Sequence, residues 1–243
     1  MIPEDHPRYR SLAVRERLAR CAQEGIVTLE GLTAHGRGEA FDYLMGEETR
    51  PAALRAEQVA AALLLSAEHP VISVNGNTAA LAAGLIAGLQ EASGAAVEVN
   101  LFHRTPERIA KITRLLEDQG VRVLTGVPER LLPLSHDRAL CLSGGIGSAD
   151  VVLVPLEDGD RCQALCGMGK KVIAIDLNPL SRTARSADLT IVDELTRAIP
   201  AITQFCRELD RTQAGALSKG FDNREFLQEA VRDIIRRLEH ALD

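Results

Sequence analysis

Several short polar stretches carry the residue types that handle phosphate and carboxylate groups. DLNPLSRT at 176–183 sets Asp176, Asn178, Ser181, Arg182 and Thr183 directly behind the apolar run VIAI. An aspartate leaving a strand can accept hydrogen bonds from a ribose or an amino group, Asn178 both donates and accepts, and Pro179 fixes the turn. Arg182 and Thr183 offer a forked cation and a hydroxyl to phosphate. The competing reading is a capped turn, with Ser181 as a helix N-cap and Arg182 as a solvated surface residue. AHGRGEAFDY at 34–43 places Arg37 between two glycines. Such a backbone can approach an anion closely, with His35 and Arg37 on phosphate and Glu39 or Asp42 orienting a base or metal. No GK[ST] follows, so this is not a Walker A loop. A charged helix start, with Glu39 as a first-turn acid, is the alternative.

Three further clusters follow apolar runs. NGNT at 75–78 can offer amides and Thr78 to an anion, although asparagines are also ordinary turn formers. NLFHRT gathers Asn100, His103 and Arg104, a costly set unless something polar faces it; a structural His103 is the alternative. In PLEDGDR, Glu157, Asp158 and Asp160 can accompany a nucleotide's Mg²⁺ or hold an ammonium group, or simply cap the next helix. SGGIGSAD at 143–150 precedes its strand instead of joining a strand to a helix, so the dinucleotide fingerprint is not met. There is no Ser–His–Asp spacing, HExxH or CxxC. Arg, His, Asn, Asp and Gly suit charge stabilisation more than covalent catalysis.

The elements that position these clusters follow from periodicity. A helix is expected over about 11–23, then a loop running into a short helix in the glycine-containing 33–49. From 53 the pattern becomes regular: helix LRAEQVAAALLLSA, strand PVISV, helix AALAAGLIAGLQEA, strand AAVEVNLF, helix PERIAKITRLLEDQG and a short strand VRVLTG. Strands DVVLVP, KKVIAID and LTIVD follow, with helices RCQALCGMG and ELTRAIPAITQFCREL between and after them. Apolar strands separated by crossover-length helices are the signature of a parallel sheet, so the clusters should share the rim at the strands' carboxyl ends. Residues 211–225 are expected to be a flexible linker. A final helix at about 224–241 carries Phe226, Leu227, Val231, Ile234, Ile235 and Leu238 on one stripe, for the core or a partner subunit. The expected organisation is an N-terminal helical segment (1–50) that contributes to the site, a core (51–210), and a linker with C-terminal helix (211–243).

The composition narrows the classes. Apolar residues make up 46% of the 243 but aromatics only 3%, so the core is aliphatic and no base-stacking surface is available. A net charge of −6 without a polybasic block argues against nucleic-acid binding, including a helix-turn-helix reading of residues 1–50. No apolar run has spanning length and the start lacks a signal-peptide pattern, so a soluble cytoplasmic protein is expected, with no membrane partner. Cys21, Cys141, Cys162, Cys166 and Cys206 read as free buried thiols, since Cys162 and Cys166 have no second pair to complete a zinc site.

HPRY at 6–9, RERL at 15–18, GLTAHGRGEAFDYLMGE at 31–47, PVISVNGN at 70–77, VEVNLFHR at 97–104, ADVVLVPLEDGDR at 149–161 and KVIAIDLNPLSRTA at 171–184 closely resemble the archaeal 4-phosphopantoate–β-alanine ligase family, also called archaeal phosphopantothenate synthetase. The resemblance covers roughly residues 1–210; Thr33 stands where the usual motif has Ile. It implies a Rossmann-like three-layer α/β sandwich with a mostly parallel sheet, a homodimer, and a step of archaeal coenzyme A synthesis. The implied reaction joins (R)-4-phosphopantoate to β-alanine with ATP, giving 4′-phosphopantothenate, AMP and diphosphate.

For ATP the resemblance implies Arg17, Arg37, Asp176, Leu177, Asn178, Arg182, Thr183, Val192 and Asp193. The route expected is an acyl adenylate, with Mg²⁺ accompanying ATP and no metal ligands assigned. Arg37 is the leading catalytic candidate. His103 and Arg104 are candidates for the substrate phosphate or the developing oxyanion, and Asn75 with Asn77 for orienting the substrate. The 31–47 segment is expected to be a mobile cover against water. A small-acid kinase and a non-catalytic nucleotide-binding regulator are the rival readings.

Overall fold

β-Branched runs too short for helices, alternating with Ala- and Leu-rich spans, build a parallel sheet closed by helices on both faces. The structure is a computed structural model that describes residues 3, 5, 6 and 8–242, Arg10 through its backbone alone. Pro7 of the HPRY motif and Asp243 of the expected C-terminal segment lie outside the described residues. The sheet comprises β1 (Pro70–Val74), β2 (Ala96–Val99), β5 (Val151–Pro155), β6 (Lys171–Ile175) and β7 (Leu189–Ile191), all parallel, in the order β2-β1-β5-β6-β7. Strand order reverses between β1 and β5, the position where sheets of this kind open a crevice for ligands. A two-residue pair, β3 (Glu129–Arg130) with antiparallel β4 (Leu140–Cys141), lies apart from it.

Alternation along each strand feeds two cores. Leu153, Ile173 and Ile175 join α3 (Pro51–Ser66), α4 (Gly76–Ser93) and α8 (Leu195–Glu208) in the larger one. Val152, Val154, Val172 and Ala174 face the other way, onto α6 (Gly159–Gly167) and the π-helical turn Ser143–Gly147. Burial on both faces is why these strands read as continuous apolar runs. The Rossmann-like three-layer expectation is met, with α5 (Pro106–Glu117) and α7 (Arg182–Ser186) completing the crossovers.

Some segments differ from expectation. The first helix, α1, spans Tyr9–Gln23, starting earlier than expected. Residues 29–45 form one helix, α2 (Leu29–Met45), capped by the Thr28 side chain on the Gly31 amide and ended by Gly46 at positive φ, instead of a loop and short helix. The cap and the packing of Gly31 and Gly38 described below offset the cost of three glycines in the helix. VRVLTG contributes only a single bridge, Val97 to Val123, as the chain leaves the sheet edge. The expected linker is also ordered: α9 (Arg211–Leu217) starts on a capping box between Asp210 and Gln213, and Ala214 is buried. α10 (Asn223–Glu239) packs through Phe226, Leu227, Ala230 and Ile234 against α2, α3 and β7, leaving Ile235 and Leu238 exposed.

Candidate active site

The rim at the carboxyl ends of β1, β5, β6 and β7 is tied together by side chains on backbone groups. Asn75 caps α4 by accepting from the Thr78 amide, and its Nδ2 donates to the carbonyls of Pro155 (3.1 Å) and Leu156 (2.9 Å). Leu156 has φ +54°, a left-handed conformation uncommon for a residue with a side chain. The Asn75 bonds and the Leu156 amide on Ile175 hold it there, at the switch between β1 and β5. Strain held by its surroundings is typical of functional loops. Asn75 is buried and its amide is engaged on both sides, so it shapes the crevice through backbone carbonyls and has no free group for a substrate. Asn77 likewise donates to the Gly31 carbonyl.

After β6, Asp176 accepts from the Asn178 amide and the Ser181 hydroxyl, and Ser181 caps α7 through the Ala184 amide. Burial raises the Asp176 pKa, opposed by these two bonds. The capped-turn reading is thus realised, and it aims α7 at the rim. Thr183 bonds the Glu157 carbonyl, linking the loops after β5 and β6. Arg182, by contrast, is exposed and has no hydrogen-bond or ion-pair partner among the described residues, and the same holds for Arg37. Arg17 donates to the Leu81 carbonyl on α4 at 3.1 Å and is not brought into the cavity described next.

α2 lies across this rim. A Cβ at Gly31 would overlap the Asn77 side-chain oxygen above β1, and one at Gly38 would meet Leu177 above β6 at 3.5 Å. The glycines therefore let a helix backbone approach the strand ends, a different use from the anion loop considered above. Beyond them, Asp42 takes a bidentate bond from Arg197 on α8 (2.5 and 3.2 Å). Arg197 also bonds Asp193 after β7 at 2.5 Å, and Asp193 accepts from Thr49 at 2.6 Å. Val192 is buried with Met45 and Leu177. Between α1, α2 and the loops after β6 and β7 lies a cavity of about 620 Å³, walled by Tyr9, Val14, His35, Glu39, Asp42, Leu177, Glu194 and Arg197 among others. That size is in the range of small-ligand sites. His35 is held toward its neutral form by burial, so it brings no fixed positive charge.

At the other end of the rim, His103 is exposed beside Phe102, and Arg104 has a buried Nη1 with no partner among the described residues. The Arg104 amide is anchored on Asp137 and the Asn100 side chain on the Leu140 carbonyl. The acids of PLEDGDR are taken: Glu157 lies between Arg138 (2.9 Å) and Arg161, Asp158 pairs with Arg138 at 3.0 Å, and Asp160 pairs with His136 at 2.9 Å. Among the described residues no group of three or more His, Cys, Asp or Glu side chains is placed to hold a metal. The described residues therefore offer Mg²⁺ no cage of protein ligands. The glycine turn at 143–147 is occupied by the protein's own Glu98, whose carboxyl accepts from the Leu142 and Ile146 amides.

Arg197, Arg138, Arg161 and Glu57 were not singled out from sequence. Arg197 was findable as the residue one helical turn after Asp193, and Glu57 as an acid within an Ala- and Leu-rich helix. Nothing local marked Arg138.

Fold and switch-point crevice together define a Rossmann-like α/β protein, with arginines at its rim that have no partner among the described residues. Residues 52–237 match the model of the phosphopantothenate/pantothenate synthetase family, and the chain belongs to that family. It is similar along its whole length to a 4-phosphopantoate–β-alanine ligase of Methanospirillum hungatei, with 61% identity and 100% of both chains covered. A 4-phosphopantoate–β-alanine ligase of Methanosarcina mazei is 52% identical over 98% of this chain and 95% of its own. One from Thermococcus kodakarensis is 48% identical over 98% and 94%. No helix among the described residues is long and apolar enough to cross a membrane.

Proposed function

We propose that this protein is an ATP-dependent ligase that joins (R)-4-phosphopantoate to β-alanine, releasing AMP and diphosphate, in coenzyme A biosynthesis. The observation that carries the reading is identity of 61% with a ligase of that name over the whole length of both chains. The nucleotide sits over the ends of β6 and β7, with Leu177, Val192 and the Asp193 loop against the nucleoside. Arg37 and Arg182 meet the phosphates, their guanidinium groups having no partner among the described residues. Residues 1–50 work as part of this site, since α2 spans it, and the active form is a homodimer.

The acid substrate occupies the crevice between β1 and β5. Its carboxylate oxygen attacks the α-phosphorus, the bond to the β-phosphate oxygen breaks, and diphosphate leaves with the acyl adenylate formed. The uncharged amine of β-alanine then attacks the acyl carbon, a proton leaves the nitrogen, and AMP departs. Two anions must be brought together in the first step, so fixed cations supply the largest stabilisation. Arg104, with its buried unpartnered nitrogen, and His103 serve the substrate phosphate. Mg²⁺, bound with the triphosphate, supplies further charge neutralisation.

The test is incubation of the protein with ATP, Mg²⁺, 4-phosphopantoate and β-alanine, followed by separation of nucleotides. AMP and diphosphate should accumulate in step with amide, and omission of β-alanine should stop net amide formation. Release of ADP instead would overturn the ligation.

A further inference from the structure

Glu57 stands in the middle of α3, fully buried among Ala53, Ala56, Ala60 and Ala61. Neither of its carboxylate oxygens has a hydrogen-bond partner among the described residues. A lone ionised carboxylate in such a place is strongly disfavoured. The polar group beside it is another carboxyl, that of Asp193, 2% exposed at the end of β7. Two carboxyl groups form a hydrogen bond only if one of them carries a proton. Asp193 already accepts from Thr49, from Arg197 and from the Glu194 amide. Glu57 has no donor of its own, so the proton belongs on Glu57. A neutral acid in an apolar site is then a directed donor.

We propose that Glu57 is a positioning residue of the nucleotide site: its protonated carboxyl donates to Asp193 and fixes the Asp193–Arg197–Asp42 clasp that holds α2 over the rim. Through that clasp α3 sets the height of α2, and hence of Arg37, above the nucleotide. The claim that this acts on nucleotide rests on the seat described above. The charged groups facing Glu57 are Asp193 after β7 and Arg197 on α8; α4, α9 and α10, which also pack on α3, present none among the described residues. Burial and the neighbouring Asp193 push the Glu57 carboxyl up to about 9. With Glu57 ionised the clasp holds three negative charges against one guanidinium and should open.

The experiment measures equilibrium ATP binding, with Mg²⁺, to the parent, Glu57→Gln and Glu57→Ala across neutral to alkaline pH. Glutamine keeps an uncharged donor, so its affinity should stay within about twofold of the parent at neutral pH and should not fall near pH 9 as the parent's does. Alanine should weaken ATP about tenfold while leaving β-alanine KM unchanged, the loss expected for a hydrogen bond to a charged group. Identical ATP binding by all three proteins at every pH would overturn the proposal. A second measurement needs only the parent: infrared spectra at neutral pH should contain the carbonyl stretch of a buried carboxylic acid, lost in Glu57→Gln. Its absence would also overturn the proposal. Binding is read without turnover, so a failed ligase assay with the expected binding pattern would refute the ligase and leave the clasp standing.

Discussion

Two regions of the rim use arginine in opposite ways. On α2 and at the start of α7, Arg37 and Arg182 are exposed and have no hydrogen-bond or ion-pair partner among the described residues. Over β5, Arg138 and Arg161 are buried, 6% and 0% exposed, and both close on Glu157. An exposed, unpaired guanidinium costs the fold little and is ready for an incoming anion. A buried one must bring its counter-charge with it, and then serves to hold a loop. Residue type alone does not separate these roles; burial and pairing do.

The contrast is sharpest where a charge is removed. Glu157→Leu should leave the buried Arg161 guanidinium without a carboxylate, Arg138 keeping only Asp158, and cost about 3–5 kcal/mol of stability. A denaturant midpoint lowered by that amount, with the slope unchanged, is the expected reading; a midpoint near the parent's would mean water reaches the pair. Arg182→Ala and Arg37→Ala should behave inversely. Turnover should fall about 100-fold or more, as for loss of one transition-state donor, while the denaturant midpoint stays close to the parent's. Near-parental turnover at saturating ATP would remove either residue from the site.

The smallest effects compare glycines on α2. Gly31→Ala should cost about 1–3 kcal/mol, because its methyl group collides with Asn77 and forces the helix from the β1 end. Gly36 has open space around it, so Gly36→Ala should stabilise the helix by about 0.5–1 kcal/mol. Thermal unfolding of the pair distinguishes a packed glycine from a merely tolerated one. Equal shifts would show that α2 does not bear on the rim.

Stability against pH offers a check on the third acid of the clasp. The folded-state pKa of Glu57 lies near 9 against 4.5 in a free chain. Relative to Glu57→Gln, the parent should therefore lose stability as pH rises from about 4.5 through about 9, where the unfolded chain releases a proton that the folded one keeps. A difference in melting temperature that does not change over that interval would place the charge elsewhere.

Much of the architecture was written in short-range pattern. PVISV, VVLVP and KVIAI are apolar on both alternating sets, which demands a sheet covered twice, and crossover-length helices between them demand parallel pairing. The order of polar clusters along the chain then placed DLNPLSRT and NGNT at one rim. Glycine-rich 31–47 misled because glycine's low helix propensity is a local signal, while the close approach of α2 to Asn77 and Leu177 is tertiary. Residues 211–217 misled for a similar reason: a capping box and the burial of Ala214 order a stretch whose composition suggests a linker.

What the sequence determined by itself was the covered parallel sheet, the family through its long motifs, and the inventory of cations at the strand ends. Tertiary structure alone decided which cations have no partner among the described residues, which acids are already paired, and that Glu57 is buried in α3 without a hydrogen-bond partner among them. The physical reason is that charge and protonation depend on burial and on neighbours brought from more than a hundred residues away, and no local periodicity encodes them.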